Sequence, residues 1–282
     1  MTAKARKARS GEAYEDACEG DPSGYDAESY AGAILEMKDV CLAFGGVRAV
    51  VDVTFGVKRG TIAGLIGPNG AGKSSLLNVI AGALKQTSGV VLFEGRRVVG
   101  RSAHAMARLG ITRTFQLSGE FGGLTVLENM LMGARRQRGE SLMGALLGPR
   151  FWREEERTLV DRARRLLGEC DLLAKEDDYA RDLSGGQRRI LEILRATMAD
   201  PQVLLLDEPF AGVNKSTARR IEEYLRVLRE KGMTMIMVEH ELAFVDRLCD
   251  DVIVMAQGAV IGRGTMGDLR SSREIRQAYL AG

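Results

Sequence analysis

The stretch that decides the fold runs from Thr61 to Ile80 and reads TIAGLIGPNGAGKSSLLNVI. Its first six residues predict a buried strand, and the residues from Lys73 onward predict a helix that ends near Gly82. The turn between them fits the pattern G-x-x-x-x-G-K-[ST], from Gly67 to Ser74, in the strand–loop–helix context that makes this pattern specific. The sequence therefore predicts a phosphate-binding loop.

The residue types in this loop suit a nucleoside triphosphate. Glycines let successive backbone N–H groups converge on the phosphates, Lys73 neutralises charge on the β- and γ-phosphates, and the Ser74 hydroxyl can ligate Mg²⁺. The residues predicted to contact the nucleotide here are Gly67, Pro68, Asn69, Gly70, Ala71, Gly72, Lys73, Ser74 and Ser75. A glycine-rich turn that precedes Lys-Ser by chance is the alternative interpretation.

Composition and charge bound the class of protein. The chain has 282 residues, of which 45% are hydrophobic and 28% charged, and its formal net charge is +2. These values are typical of a globular protein, and a charge this close to zero does not indicate a nucleic-acid partner. Because no apolar run reaches the length of a spanning helix and the N-terminus lacks an apolar signal core, we expect a cytoplasmic protein. The four cysteines form no metal-binding pattern and are expected to be free thiols.

The pattern along the chain predicts an α/β fold. Residues 1–32 are basic and then acidic with almost no aliphatic residues, which predicts a disordered extension; a docking or regulatory segment is the alternative. Alternating runs after Ile34 predict antiparallel strands, a region from about 117 to 198 is helical in pattern, and the apolar runs in VLLLDEP and MTMIMVEH predict parallel strands buried on both faces.

A second glycine-rich helix start occurs in LSGGQRRILEILRA, Leu183–Ala196. Ser184 is predicted to be the N-cap of this helix, and Gly185 and Gly186 follow in its first turn, where helix propensity disfavours glycine. Glycines at a helix start leave backbone N–H groups bare, and the helix dipole favours an anion there. The motif is therefore predicted to contact a phosphate, although the chain already has a separate phosphate loop.

Polar residues at strand ends are the candidates for catalysis. Asp207 and Glu208 end the first of the two apolar strands, so Asp207 can hold Mg²⁺ while Glu208 orients or deprotonates an attacking water. His240 follows the next strand and can contact the γ-phosphate at the same carboxyl edge, unless it is simply structural. Gln116 ends the run ITRTFQ, and its amide can reach both metal and water.

Taken together, these motifs resemble the ATP-binding cassette ATPases of ABC transporters. GPNGAGKS matches the family's Walker A motif, Gln116 its Q-loop, LSGGQRR its signature, VLLLDEP its Walker B motif, AGVN its D-loop and His240 its switch histidine. The resemblance covers the chain from about Ile34 to the C-terminus. It implies a P-loop NTPase (RecA-like) core in residues 33–282, with an antiparallel β subdomain and an α-helical signature subdomain.

The resemblance also implies roles for particular residues. Phe44 matches the position where the family stacks an aromatic ring on adenine; a core residue is the alternative. In the family two cassettes meet head to tail, so Ser184, Gly185, Gly186 and Gln187 would contact the nucleotide bound by a partner, and ATP and Mg²⁺ are the implied cofactors.

Within the family, the chain looks most like the branched-chain amino acid importer ATPases. Runs such as LAFGGVRAV, ITRTFQ, LTVLENM and the terminal AYLAG carry this likeness, whereas Phe210 and Lys215 depart from the usual pattern. It implies a motor subunit that is peripheral to the cytoplasmic face of the membrane, with permease subunits, a second cassette (a copy or a paralogue) and, indirectly, a solute-binding protein as partners. An exporter-class ATPase for lipid transport and a soluble ATPase acting on ribosomes or DNA are the alternatives.

Overall fold

The computed structural model describes residues 32–98, 100–114, 121–135 and 153–272. In chain order the elements are β1 (Ala33–Phe44), β2 (Val47–Lys58), β3 (Ile62–Ile66), α1 (Lys73–Ile80), β4 (Ser88–Phe93), β5 (Arg96–Arg97), α2 (Ala103–Leu109), β6 (Ile111–Arg113), α3 (Val126–Met132), α4 (Arg153–Glu169), α5 (Gly185–Met198), β7 (Val203–Asp207), α6 (Lys215–Glu230), β8 (Thr234–Val238), α7 (Leu242–Leu248), β9 (Asp251–Ala256), β10 (Ala259–Gly264) and α8 (Met266–Ser271). Short 3₁₀ turns lie at Leu173–Lys175 and Ala180–Asp182.

The chain divides into two compact units. One comprises Met1–Ala105 with Cys249–Gly282, and the other comprises Met106–Leu248. We call the first the phosphate-loop unit and the second the signature unit, after the glycine-rich motif that each contains. The predicted N-terminal extension and Gln116 lie outside the described residues, so the proposals about them remain predictions.

An antiparallel sheet forms one part of the phosphate-loop unit. Its strand order is β2-β1-β4-β5, and β1 pairs with both β2 and β4. Val53, Phe55 and Val57 alternate along β2 and are all buried, because every second side chain of a strand points to the same face. The predicted antiparallel strands after Ile34 are confirmed.

The second part of this unit places the phosphate loop. All five residues of β3 are buried, and β3 pairs in parallel with β9, which continues into an antiparallel hairpin with β10. The hairpin turns at Gln257 and Gly258, whose φ angles are 49° and 87°, as the sequence predicts and as a tight two-residue turn requires.

Parallel strands form the sheet of the signature unit. Strand β7 pairs with β6 on one side and β8 on the other, and the five residues of β8 are all buried. Helix α5 buries Ile190, Leu191, Leu194 and Met198, the stripe that its sequence predicts. Helix α6 likewise buries Ile221, Leu225 and Leu228. The continuous apolar runs thus become parallel strands as predicted.

Among the described residues, no helix is both long and apolar enough to span a lipid bilayer.

Candidate functional site

The phosphate loop connects the carboxyl end of β3 to the start of α1. Gly67 and Gly72 have φ angles of 154° and 96°, which few residues other than glycine adopt. A Cβ atom on Gly67 would contact the carbonyl oxygen of Met255, and one on Gly72 would contact that of Ala49. Both glycines are therefore required by backbone that surrounds the loop within its own unit.

Hydrogen bonds from β2 and the β9–β10 turn fix the loop further. The Gly258 N–H donates to the Ala71 carbonyl over 3.1 Å, and the Gly258 carbonyl accepts from the Val51 N–H over 2.9 Å. The loop is thus anchored by two neighbouring segments of the phosphate-loop unit.

Lys73 folds back over this loop. Its side chain is buried, and Nζ donates to the carbonyl oxygens of Gly67 and Pro68 over 2.8 and 2.9 Å. The two carbonyl oxygens hold the ammonium group against the loop. Ser74 is exposed at the start of α1, so its hydroxyl is open to a ligand.

Phe44 lies at the end of β1 and is 50% exposed. That exposure favours a contact residue over the alternative in which Phe44 is a core residue. An exposed aromatic ring is what stacking on adenine would require.

The second glycine-rich start forms a complete capping box. Ser184 Oγ accepts from the Gln187 N–H over 3.3 Å, and Gln187 Oε1 accepts from the Ser184 N–H over 3.0 Å, the reciprocal arrangement that stabilises helix starts. Arg188 Nη1 also donates to the carbonyls of Arg181 and Leu183 over 3.1 and 2.8 Å. The prediction that Ser184 is an N-cap is confirmed.

The two glycines of this motif have different surroundings. A Cβ on Gly186 would lie 2.8–3.2 Å from side-chain atoms of Thr217 in α6, whereas a Cβ on Gly185 would meet nothing within 4 Å. Gly186 is therefore needed for helix packing. At Gly185 the position of a Cβ is open space.

Asp207 ends β7 and pairs with an arginine from the neighbouring strand. Arg113 Nη2 lies 2.6 Å from Asp207 Oδ2, and both side chains are largely buried. Because β6 and β7 run in parallel with Arg113 opposite Leu205, the two charged groups reach the same edge of the sheet. This pair gives the carboxylate a cationic partner.

Glu208 and His240 come together at the carboxyl ends of β7 and β8. Glu208 Oε1 lies 2.8 Å from His240 Nε2, and both side chains are partly exposed. The Glu208 backbone has a φ of 49°, an unfavourable left-handed conformation for a residue with a side chain. Such conformations persist where neighbouring contacts fix them, and they cluster at functional sites.

Comparisons with known proteins agree with this geometry. The ABC transporter family model matches residues 50–211. A probable branched-chain amino acid transport ATP-binding protein, LivG, from Archaeoglobus fulgidus is 37% identical over 88% of this chain and 95% of its own length. The high-affinity branched-chain amino acid transport ATP-binding protein BraF from Pseudomonas aeruginosa is 34% identical over 88% and 97%. A crystal structure of the ADP conformation of an ATP-binding cassette of an ABC transporter aligns with a TM-score of 0.77 and 34% identity over 89% and 99%.

The chain belongs to the ABC transporter family. It is an ATP-binding cassette with the α/β fold that the resemblance implies, and family membership carries ATP binding and hydrolysis with it.

The cassette brings some predicted site residues together within each unit. In the phosphate-loop unit, Lys73 is bonded to the loop that Gly67 and Pro68 form. In the signature unit, Glu208 is bonded to His240. Gln116 lies outside the described residues.

Two residues of the signature unit were missed by the sequence analysis. Arg113 precedes Gln116 by three positions and has no pattern around it that would indicate an ion pair. Glu239 follows the apolar run of β8 and is 4% exposed, although a glutamate after a strand is usually solvated. Its only sequence signal is its place between β8 and His240.

Proposed function

We propose that this cassette is the ATP-hydrolysing motor subunit of an ABC importer for branched-chain or related amino acids. The observation that carries the hydrolytic part is the 2.8 Å contact between Glu208 and His240 at the ends of two adjacent parallel strands. A carboxylate held by an imidazole there has the chemistry of a base for an attacking water. The solute rests on relatives named for branched-chain amino acid transport.

The cassette's own residues would divide the chemistry between them. Lys73 would hold the β- and γ-phosphates, Glu208 would accept the proton of the attacking water, and His240 would orient Glu208 and contact the γ-phosphate. Gln116 would contact both metal and water. Phe44 would stack on the adenine.

A magnesium ion fits the donor chemistry of the predicted ligands. Ser74 offers an exposed hydroxyl and Asp207 a carboxylate whose Oδ2 pairs with Arg113. Both are the hard oxygen donors that Mg²⁺ prefers, and this ion commonly takes only one or two protein ligands with substrate phosphates. When bound, it would neutralise charge on the β- and γ-phosphates.

The signature would act on a nucleotide held by a second cassette. Gly185 leaves space beside its backbone, and Ser184 begins a helix whose dipole favours an anion. The chain contains one phosphate loop and one signature, so two cassettes arranged head to tail would complete two sites. The pair would be a homodimer if the second cassette is a copy of this chain and a heterodimer if it is a paralogue.

Permease subunits would anchor the pair at the cytoplasmic face of the membrane, with a solute-binding protein supplying the amino acid on the other side. ATP would close the pair and hydrolysis would reopen it, which couples turnover to the permease.

Reconstitution tests this function. The tagged cassette is isolated from solubilised membranes with its bound membrane protein, and the complex is placed in liposomes with ATP on the cassette side and the solute-binding protein on the opposite side. We expect ATP-dependent uptake of labelled leucine, isoleucine or valine. Glu208→Gln is the matched control because it preserves shape and removes the base; its turnover should fall by about 10²–10⁴-fold.

The alternatives give different results in the same experiment. Export of lipid by the reconstituted complex would indicate the exporter class. Failure to recover any integral membrane protein, together with co-purification of ribosomes or DNA, would indicate a soluble ATPase and reject the importer.

A further inference from the structure

A buried carboxylate lies beside the Glu208–His240 pair. Glu239 is the first residue after β8, and it is 4% exposed. Burying a carboxylate is costly unless hydrogen bonds replace the water that it loses. Because the position directly follows a fully buried strand, an apolar residue there would avoid that cost. The hydrogen bonds that Glu239 accepts must therefore offset the cost of burying its carboxylate.

Backbone N–H groups from two segments satisfy this carboxylate. Oε1 accepts from the Phe210 N–H over 3.0 Å, and Oε2 accepts from the His240 N–H over 3.1 Å. The N–H of Glu241 also donates to it. The first donor belongs to the segment after β7 and the other two to the segment after β8, so one side chain joins the two segments.

The joined segments carry the two functional side chains. Phe210 lies two residues after Glu208, and His240 is itself a donor to Glu239. On the other side, the Glu208 N–H donates to the Val238 carbonyl over 3.0 Å. Hydrogen bonds to Val238 and Glu239 therefore enclose the left-handed backbone of Glu208.

The electrostatics of Glu239 agree with a constrained position. Burial raises its pKa, the N–H groups of Phe210, His240 and Glu241 oppose that rise, and the nearby charge of Glu208 adds to it. The three backbone donors thus stabilise the charged form of this carboxyl against the effect of burial.

We propose that Glu239 is a positioning residue for hydrolysis, whose carboxylate sets the distance and orientation between Glu208 and His240 by holding the backbones on both sides of that pair. This inference rests on the proposed role of Glu208 as the base. Glu239 itself contacts backbone groups and acts on the reaction only through their placement.

The variants Glu239→Gln and Glu239→Asp test the proposal. In Glu239→Gln the side-chain NH₂ group faces a backbone N–H in place of one carboxylate oxygen, so the hydrogen bond to one of the two segments is lost. In Glu239→Asp the side chain is too short to accept hydrogen bonds from both segments. We expect kcat for ATP to fall by roughly 10–100-fold in either variant, as small misplacements of catalytic groups produce. KM for ATP and the nucleotide affinity should stay within about twofold of wild type, because the phosphate loop is unchanged.

A matched control separates positioning from stability. Ile236→Ala removes buried side-chain volume from β8, where Ile236 is fully buried, and leaves the contacts of Glu239 in place. It should lower the melting temperature at least as much as Glu239→Gln while keeping kcat within about threefold of wild type. A kcat in the Glu239 variants that matches this control, or that equals wild type, would overturn the proposal.

Amide hydrogen exchange gives a readout that needs no turnover. In Glu239→Gln either the Phe210 amide or the His240 amide loses its acceptor and should exchange faster than in wild type, whereas both should stay protected in Ile236→Ala. Unchanged protection of both amides would show that Glu239 does not hold these segments and would overturn the inference. If wild type hydrolyses no ATP but the exchange result is as expected, the proposed function fails while the tie itself stands.

Discussion

The two glycine-rich helix starts of this cassette are alike in sequence and different in construction. In the phosphate loop, Gly67 and Gly72 have φ angles of 154° and 96° and face backbone carbonyls of their own unit. In the signature, Gly185 and Gly186 begin α5 in helical conformation. The backbone conformation requires glycine at both positions of the first pair. In the second pair it does not, and only the Thr217 side chain limits the residue at Gly186.

The surroundings of the two motifs differ in the same way. The phosphate loop is tied to β2 and to the β9–β10 turn, and Lys73 is buried over it. Beside Gly185 there is open space. The phosphate loop is thus held in place by its own unit, whereas the signature has a capped helix start with open space at Gly185. This is the arrangement expected if each signature serves the nucleotide of a partner.

The largest expected effect comes from mixing two inactive variants. Lys73→Ala cannot hold ATP properly, and the carboxylate of Gly185→Asp would repel a phosphate; the space beside Gly185 lets the new side chain fit. In a mixed pair, one site has both lesions and the other has none. Random pairing of equal amounts should therefore restore about a quarter of wild-type ATP occlusion.

The readout of that mixture is occlusion, because coupling between sites can silence turnover. If each chain used its own signature, every site would carry a lesion and mixing would restore nothing. If cross-linking shows that mixed pairs form and they still fail to occlude ATP, a site shared between two copies of this chain is rejected. The experiment would then be repeated with a paralogous cassette as the partner.

Gly72→Ala should have the next largest effect. Its Cβ would meet the Ala49 carbonyl at a backbone φ of 96°, so the loop must shift from its present shape to relieve the overlap, and the ATP affinity of the isolated chain should fall by roughly 100-fold. Gly70→Ala is the control, because Gly70 has a φ of 79° but open space around it; its loss should be about tenfold at most. Equal losses in titration calorimetry would show that the close contact is unimportant.

Gly186→Ala and Gly185→Ala should differ in stability. The new Cβ at Gly186 must displace Thr217, whereas alanine at Gly185 has room and favours the helix. We expect Gly186→Ala to be less stable than Gly185→Ala by about 2 kcal/mol in urea unfolding. Adding Thr217→Ala should remove most of the difference. If the two single variants unfold alike, the distinction drawn between these glycines is wrong.

The sequence is sufficient to predict the elements on either side of each motif, because the signals there are local. The buried runs of β3, β7 and β8, the N-cap at Ser184 and the turn at Gly258 all follow from patterns within a few residues. The order of the family's motifs adds the fold and the ATP chemistry.

The contacts that refine the site are not local, so the sequence did not reveal them. Arg113 and Asp207 are 94 positions apart, and their ion pair depends on which strands are neighbours. Glu239 is separated by 29 positions from the Phe210 amide that it accepts from. The packing of Gly186 on Thr217 likewise requires the placement of α6 against α5. Strand order and helix packing determine these three contacts.

Phe44→Ala should have the smallest effect and tests how much of the nucleotide the phosphate-loop unit binds by itself. Loss of a stacked ring should weaken ATP binding to the isolated chain by about 1 kcal/mol, or roughly fivefold, with little change in kcat. Val47→Ala is the matched control, because Val47 begins the other strand of the β1–β2 hairpin and is 67% exposed; it should leave affinity unchanged. Since Phe44 is half exposed, its removal should hardly alter the melting temperature. A lower melting temperature with unchanged affinity would instead make Phe44 a packing residue, and the phosphate loop alone would then account for nucleotide binding by this unit.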